Sequence, residues 1–105
     1  MIKDRRYKTI KNLIESGHIS LFSEIFDTLP KSVLYKDLGI NNTRFNNLLG
    51  KVEQFLLNDI FRIADLIETS RENVLKLILN QYEFDLKDQK KSTKKRTQGS
   101  PKRTK

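Results

Sequence analysis

The chain has no cysteine, so it can form no disulfide framework and no thiolate metal site, and a reducing compartment is the default expectation. No apolar run approaches the ~20 residues that a membrane-spanning helix requires. Met1 to Arg6 leads into a charged amphipathic stretch and not an apolar one, so no signal peptide is expected and a cytoplasmic protein with no membrane partner is. Histidine occurs once, as His18, with no metal-ligand spacing around it, which suits a turn or packing role. A phosphate-cradling glycine loop, a metal motif and a nucleophile with a paired base are all missing. The carboxylates are scattered, often beside Lys or Arg, as on solvated helix faces. The expectation is a protein that is not an enzyme, with no cofactor and no small-molecule ligand.

Two further absences mark the C-terminal end. After Leu86 there is no apolar residue, and after Asp88 no acid. Nine of the 21 basic residues but only one of the 13 acids lie from Lys87 onward. That stretch therefore carries the whole net charge of +8, and the first 86 residues, with twelve of each sign, are neutral. Such a segment cannot bury surface to offset chain entropy, so residues 87–105 are expected to be a disordered basic tail. Its cations Lys90, Lys91, Lys94, Lys95, Arg96, Lys102 and Arg103 suit non-specific phosphate contact through counterion release. The other reading of such a tail is a solubilising extension. Within the neutral body, Lys3, Arg5, Arg6, Lys8 and Lys11 gather early, and Asp59, Asp65, Glu68 and Glu72 gather late.

What is present is helical periodicity, with no competing strand pattern. Lys31 to Gly50, KSVLYKDLGINNTRFNNLLG, reads as a short helix, a glycine-led turn and a second short helix. Leu34 and Leu38, Ile40 in the turn, and Phe45 and Leu48 fall where two steeply crossing helices touch. Gly39 stands at the bend, where a positive φ is needed. Asn41 is placed to cap the second helix, about Asn42 to Leu49, and Gly50 to end it. This is the pattern of a helix-turn-helix. Its second helix would expose Asn42, Thr43, Arg44, Asn46 and Asn47, with Lys51 beyond, a set of side chains suited to base edges and phosphates. Four asparagines within Asn41 to Asn47 are unusual for a helix with only a structural role, since asparagine is a poor helix former. The alternative is an ordinary solvated face.

Around this unit the spacing predicts four more helices. Asp4 to Ser16 is apolar through Tyr7, Ile10, Leu13 and Ile14, with Gly17 as its stop. Ser20 would cap a helix facing inward through Leu21, Phe22, Ile25, Phe26 and Leu29, and Pro30 would open the next. Phe55 and Leu56 form an apolar anchor in the loop after Gly50. Asn58 to Glu68 faces inward through Ile60, Phe61, Ala64 and Ile67. Ser70 would cap a last helix, about Arg71 to Tyr82, facing inward through Val74, Leu75, Ile78 and Tyr82. The fold class is all-α, a compact bundle of five or six short helices. Residues 1–20 form an N-terminal helical extension, 21–86 the helix-turn-helix domain and 87–105 the tail.

From Phe22 to Ile78 the chain resembles the lambda-repressor/Cro-like helix-turn-helix family, through LYKDLGINNTRFNNLL followed by DIFRIADLIETSRENVLKLI. The resemblance implies sequence-directed binding of double-stranded DNA in a nucleoid-associated transcriptional regulator. A repressor, a mobile-element regulator or an operator-binding antitoxin would each fit. It departs from the family at Tyr35, where alanine is usual, and at Phe45, where a smaller branched residue is usual. Both crowd the crossing, unless Tyr35 slips to the edge. The N-terminal extension lies outside the family core and could pack on the domain or build a homodimer. Two rival expectations are a protein-interaction module that has lost DNA contact, and an RNA-binding protein led by its tail.

Overall fold

The computed structural model describes residues 3–96, with side chains through Asp88. Every regular element among them is helical. In chain order these are α1 (Arg6–Glu15), a 3₁₀ helix η1 (Phe22–Asp27), α2 (Lys31–Leu38), α3 (Asn42–Gly50), a short 3₁₀ turn η2 (Val52–Gln54), α4 (Leu57–Ile67) and α5 (Arg71–Arg96).

One core serves all of them. Tyr7, Ile10 and Ile14 of α1 are buried in the same cluster as Leu34 and Leu38 of α2, Phe45 and Leu48 of α3, and Ile60, Ile63, Ala64 and Ile67 of α4. The residue spacing explains this: positions three and four apart share a face of an α-helix. The N-terminal stretch is thus built into the domain, its apolar face spent inside the chain's own core. The Tyr7 hydroxyl adds a polar tie, donating to Asp37 Oδ2 at 2.7 Å. Burial first, and then this carboxylate, push the Tyr7 phenol well above its ordinary value.

The segment around Phe22 is 3₁₀ and not α, and Ser20 is not its cap. The Glu24 carboxylate instead reaches back to accept from the backbone N–H of Ser20 at 2.8 Å and of Leu21 at 2.9 Å. These two bonds lower the Glu24 pKa. A tighter helix brings residues three apart into line, which is how Phe22 and Ile25 come to be fully buried together. Pro30 is the cap residue of α2, in an extended conformation, one position before the first turn.

Five aromatic rings form a continuous ladder across the domain. Phe55 meets Phe22 at 5.4 Å, Phe22 meets Phe26 at 5.7 Å, Phe26 meets Phe45 at 5.8 Å, and Phe45 meets Tyr35 at 5.8 Å. The first three contacts are edge-to-face, the arrangement the ring quadrupole favours. Phe55 is the anchor its sequence suggests. Leu56 is not: it is 59% exposed, and Val52 is buried beside Phe55 instead.

The last helix runs further than its apolar spacing indicates. Ser70 Oγ accepts from the Asn73 N–H at 3.1 Å and caps it. Val74, Leu77 and Ile78 face the core, but Tyr82 lies outside it, and α5 continues to Arg96. Its core contact ends at Gln81, about three turns in: Phe84, the next apolar residue on that face, is 54% exposed. The backbone of residues 87–96 is helical, in keeping with the good helix propensity of Lys, Arg and Gln. Of the tail expected to be disordered over 87–105, residues 87–96 are thus helical in backbone, and 97–105 lie outside the described residues.

Candidate functional site

Residues 39–41 join α2 to α3. Gly39 adopts φ +75°, which a β-carbon would oppose. Its N–H donates to the Lys36 carbonyl at 3.1 Å, and the Ile40 N–H donates to that of Tyr35 at 3.0 Å, closing the end of α2. Asn41 then caps α3: its side-chain oxygen accepts from the Arg44 N–H at 2.7 Å. The turn is set by these local bonds, and the pose of α3 by what it buries.

Phe45 and Leu48 are the buried face of α3. Phe45, fully enclosed, packs between Phe26 and Tyr35. The crowding expected at Tyr35 is relieved as its ring lies half-buried, tilted 50° to Phe45.

A second hold on α3 is polar. Arg44 Nη2 lies 3.0 Å from Asp59 Oδ2, and the Asp59 side chain is almost wholly enclosed while Arg44 keeps part of its surface in water. Asp59 sits in the first turn of α4, where unpaired backbone N–H groups favour a negative charge. Burying a carboxylate is costly unless it is paired. Arg44 supplies the pair and in doing so fixes α3 against α4. Its guanidinium is thus partly committed within the fold.

The rest of the sequence-derived set falls together on the outer side of α3. Asn42, Thr43, Asn46 and Asn47 are all exposed, and with Gly50 they occupy one arc opposite Phe45 and Leu48, at about 100° per residue. The Asn46 amide donates to the Asn42 side-chain oxygen at 2.9 Å. Thr43, Asn47 and Lys51 make no side-chain hydrogen bond among the described residues. Asn46, Asn47, Gly50, Lys51 and Gln54 line a shallow open hollow at the end of the helix. No acidic residue occurs between Asp37 and Glu53, so this face carries no negative charge of its own.

The predicted phosphate-contacting cations lie where no side chain is described. Lys90, Lys91, Lys94, Lys95 and Arg96 fall on the last turns of α5, where only the backbone is described, and Lys102 and Arg103 lie outside the described residues.

Two polar residues that matter were not singled out from sequence. Asp59 gave no local signal, since its partner is 15 positions away. Gln81 did give one: it follows Val74 and Ile78 at helical spacing, a polar residue on an apolar stripe. It is 7% exposed, accepts from the Ser23 N–H at 3.0 Å and donates to Asp85 at 2.9 Å, tying η1 to α5.

Compared with protein-family models, with curated proteins and with solved structures, the chain matches none.

Proposed function

We propose that this chain is a sequence-directed DNA-binding protein, a small transcriptional regulator that presents α3 to the major groove. The observation that carries the reading is the combination of a capped, rigidly seated short helix after a glycine turn with an outer face of amide and hydroxyl groups free of acids. Amide side chains can pair with adenine by two hydrogen bonds, so asparagines favour sites containing A·T pairs. The basic residues from Lys87 onward would add phosphate affinity without sequence information. No reaction is assigned to the site.

Selection from random duplex DNA tests this directly: an enriched motif is expected, and failure to enrich one rejects it. On the enriched site, Asn46→Ala and Asn47→Ala should each cost on the order of 1–3 kcal/mol, with scrambled DNA bound as before. Equal losses on both would make these residues positioning groups. Removing residues 87–105 should lower affinity at low salt and flatten the dependence on salt, by about 0.9 in log–log slope per lost phosphate contact, while preference for the site persists.

The commitment of Arg44 to Asp59 favours a second reading, a protein-interaction module using the same face, because a DNA reader gains from unpaired cations there. It predicts no enriched motif, and a protein partner lost on Asn47→Ala.

A further inference from the structure

The helix α5 carries exposed apolar side chains from Leu79 onward, and beyond Gln81 it leaves the core. Leu79 is 56%, Tyr82 38% and Leu86 41% exposed, and the half-buried Leu75 precedes them. Their spacing is four, three and four residues, which keeps them in a single stripe along one side of the helix, adjoining but distinct from the buried face of Val74, Leu77, Ile78 and Gln81. A 4–3–4 alternation is the period at which two α-helices pack along each other. The chain after Leu86 contains no apolar residue, so that part of the sequence supplies no apolar cover.

We infer that this stripe is the interface of a homodimer in which α5 of one copy runs antiparallel to α5 of a second. The stripe is self-complementary in that direction. Setting Leu79 of one copy opposite Tyr82 of the other places Tyr82 opposite Leu79, Leu75 opposite Leu86 and Leu86 opposite Leu75. This is the reciprocal pattern that two-fold symmetry demands.

The flanking charges favour the same alignment. Lys76 and Glu83 lie on the edge of the stripe away from the core, both are exposed, and neither has an ion-pair partner among the described residues. In the antiparallel register Lys76 of each copy falls beside Glu83 of the other, giving two opposite-charge pairs by symmetry. In a parallel pair these residues share one flank of each helix and do not meet. The opposite edge, at Ile78, is filled by each copy's own core. An interface resting on so few exposed side chains is small, so a weak, concentration-dependent dimer is expected. This inference stands apart from the DNA-reading proposal, since it uses no residue of α3 and is measured without nucleic acid.

The test is sedimentation equilibrium of the full chain over a wide range of concentration. A monomer–dimer equilibrium is expected. Leu79→Glu should weaken it by about tenfold or more, with helix content and melting temperature kept, since Leu79 is outside the core. Lys76→Glu and Glu83→Lys should each weaken the dimer by placing like charges together, and the double variant Lys76→Glu/Glu83→Lys should restore it. A wild-type chain that stays monomeric at the highest concentration overturns the inference. So does a dimer indifferent to Leu79→Glu, or a double variant no better than the two single ones.

Discussion

The surface of α1 and the outer face of α3 offer opposite lessons about exposed polar residues. The α1 region is the most basic part of the folded body in sequence, with Lys3, Arg5, Arg6, Lys8 and Lys11 close together. In three dimensions most of that charge is answered. Lys3 Nζ lies 2.7 Å from Glu68 and donates to the Leu66 carbonyl at 3.0 Å. Arg6 holds Asp4 with bonds of 2.6 and 2.8 Å, which lower the Asp4 carboxyl to about 2. Lys11 lies 3.9 Å from Glu15. The α3 face has little formal charge, but it carries no acid of its own, and Asn42, Thr43, Asn46 and Asn47 are all exposed. A count of cations in a stretch says nothing about how many are available, because the acids that meet them settle that, whether close in sequence like Asp4 and Glu15 or distant like Glu68.

The largest expected effect tests whether the two surfaces depend on one core in the same way. Phe45→Ala removes the ring that seats α3 between Phe26 and Tyr35 and should cost roughly 3–5 kcal/mol. Urea unfolding gives the loss, and amide exchange should show α3 opening before α1. An unchanged melting temperature would put Phe45 outside the core. Next in size is Arg44→Ala, which leaves the enclosed Asp59 carboxylate without its partner. A loss of about 1–3 kcal/mol is expected from the same measurement. Arg44→Lys, which keeps a charge but not the fork of donors, should lose less. A fully stable Arg44→Ala chain would show that the apolar contacts alone seat α3.

Tyr7→Phe is the corresponding test on the α1 side and should cost roughly 0.5–1.5 kcal/mol, the range of one hydrogen bond. It also has a pH signature. The folded Tyr7 phenol titrates above its ordinary value of 10.0, so it stays protonated in the folded chain where it would ionise in the unfolded one. Its contribution is complete below that ordinary value and is lost as pH rises above it. Stability should therefore fall more steeply with alkaline pH in the wild type than in Tyr7→Phe. Equal profiles would mean the hydroxyl is not buried. The smallest effect is expected for Lys3→Ala, which breaks a solvent-exposed pair of little energetic value. DNA binding, measured beside Asn47→Ala, should not change. Comparable losses in the two variants would erase the distinction between the surfaces.

Most of the architecture is legible in the sequence because helical spacing reports directly on burial. Tyr7, Ile10 and Ile14, then Leu34 and Leu38, then Phe45 and Leu48, are all where periodicity places them, and Gly39, Asn41 and Ser70 cap as their types suggest. What periodicity cannot give is decided by long-range partners. The 3₁₀ form of η1 follows from Glu24 turning back on the chain and from Gln81, 58 positions away, accepting from Ser23. Tyr82 keeps the helical spacing of the core but lies beyond the point where the body ends, so period alone misplaces it. Likewise the six residues of the candidate face could be named from sequence, and five of them are exposed as expected. The tie that holds Arg44 could not, because nothing near Asp59 announces which cation it will meet.

The dependence of η1 on α5 has a consequence for how the chain is made. A 3₁₀ segment has poor internal hydrogen bonds. This one relies on a glutamine in the final helix, and Asn80 of the same helix donates to the Ser20 carbonyl at 3.0 Å. During synthesis the N-terminal end appears first, and everything through α4 emerges before residues 80 and 81 exist to receive it. Pairings this far apart in sequence close late, because the chain between them must be ordered first. The nascent protein should therefore leave Phe22 and Ile25 without their finishing contacts until α5 clears the ribosome. Arrested chains ending before Asn80 should be cut readily by protease between Ser20 and Thr28, and those extended past Gln81, once outside the exit tunnel, should resist.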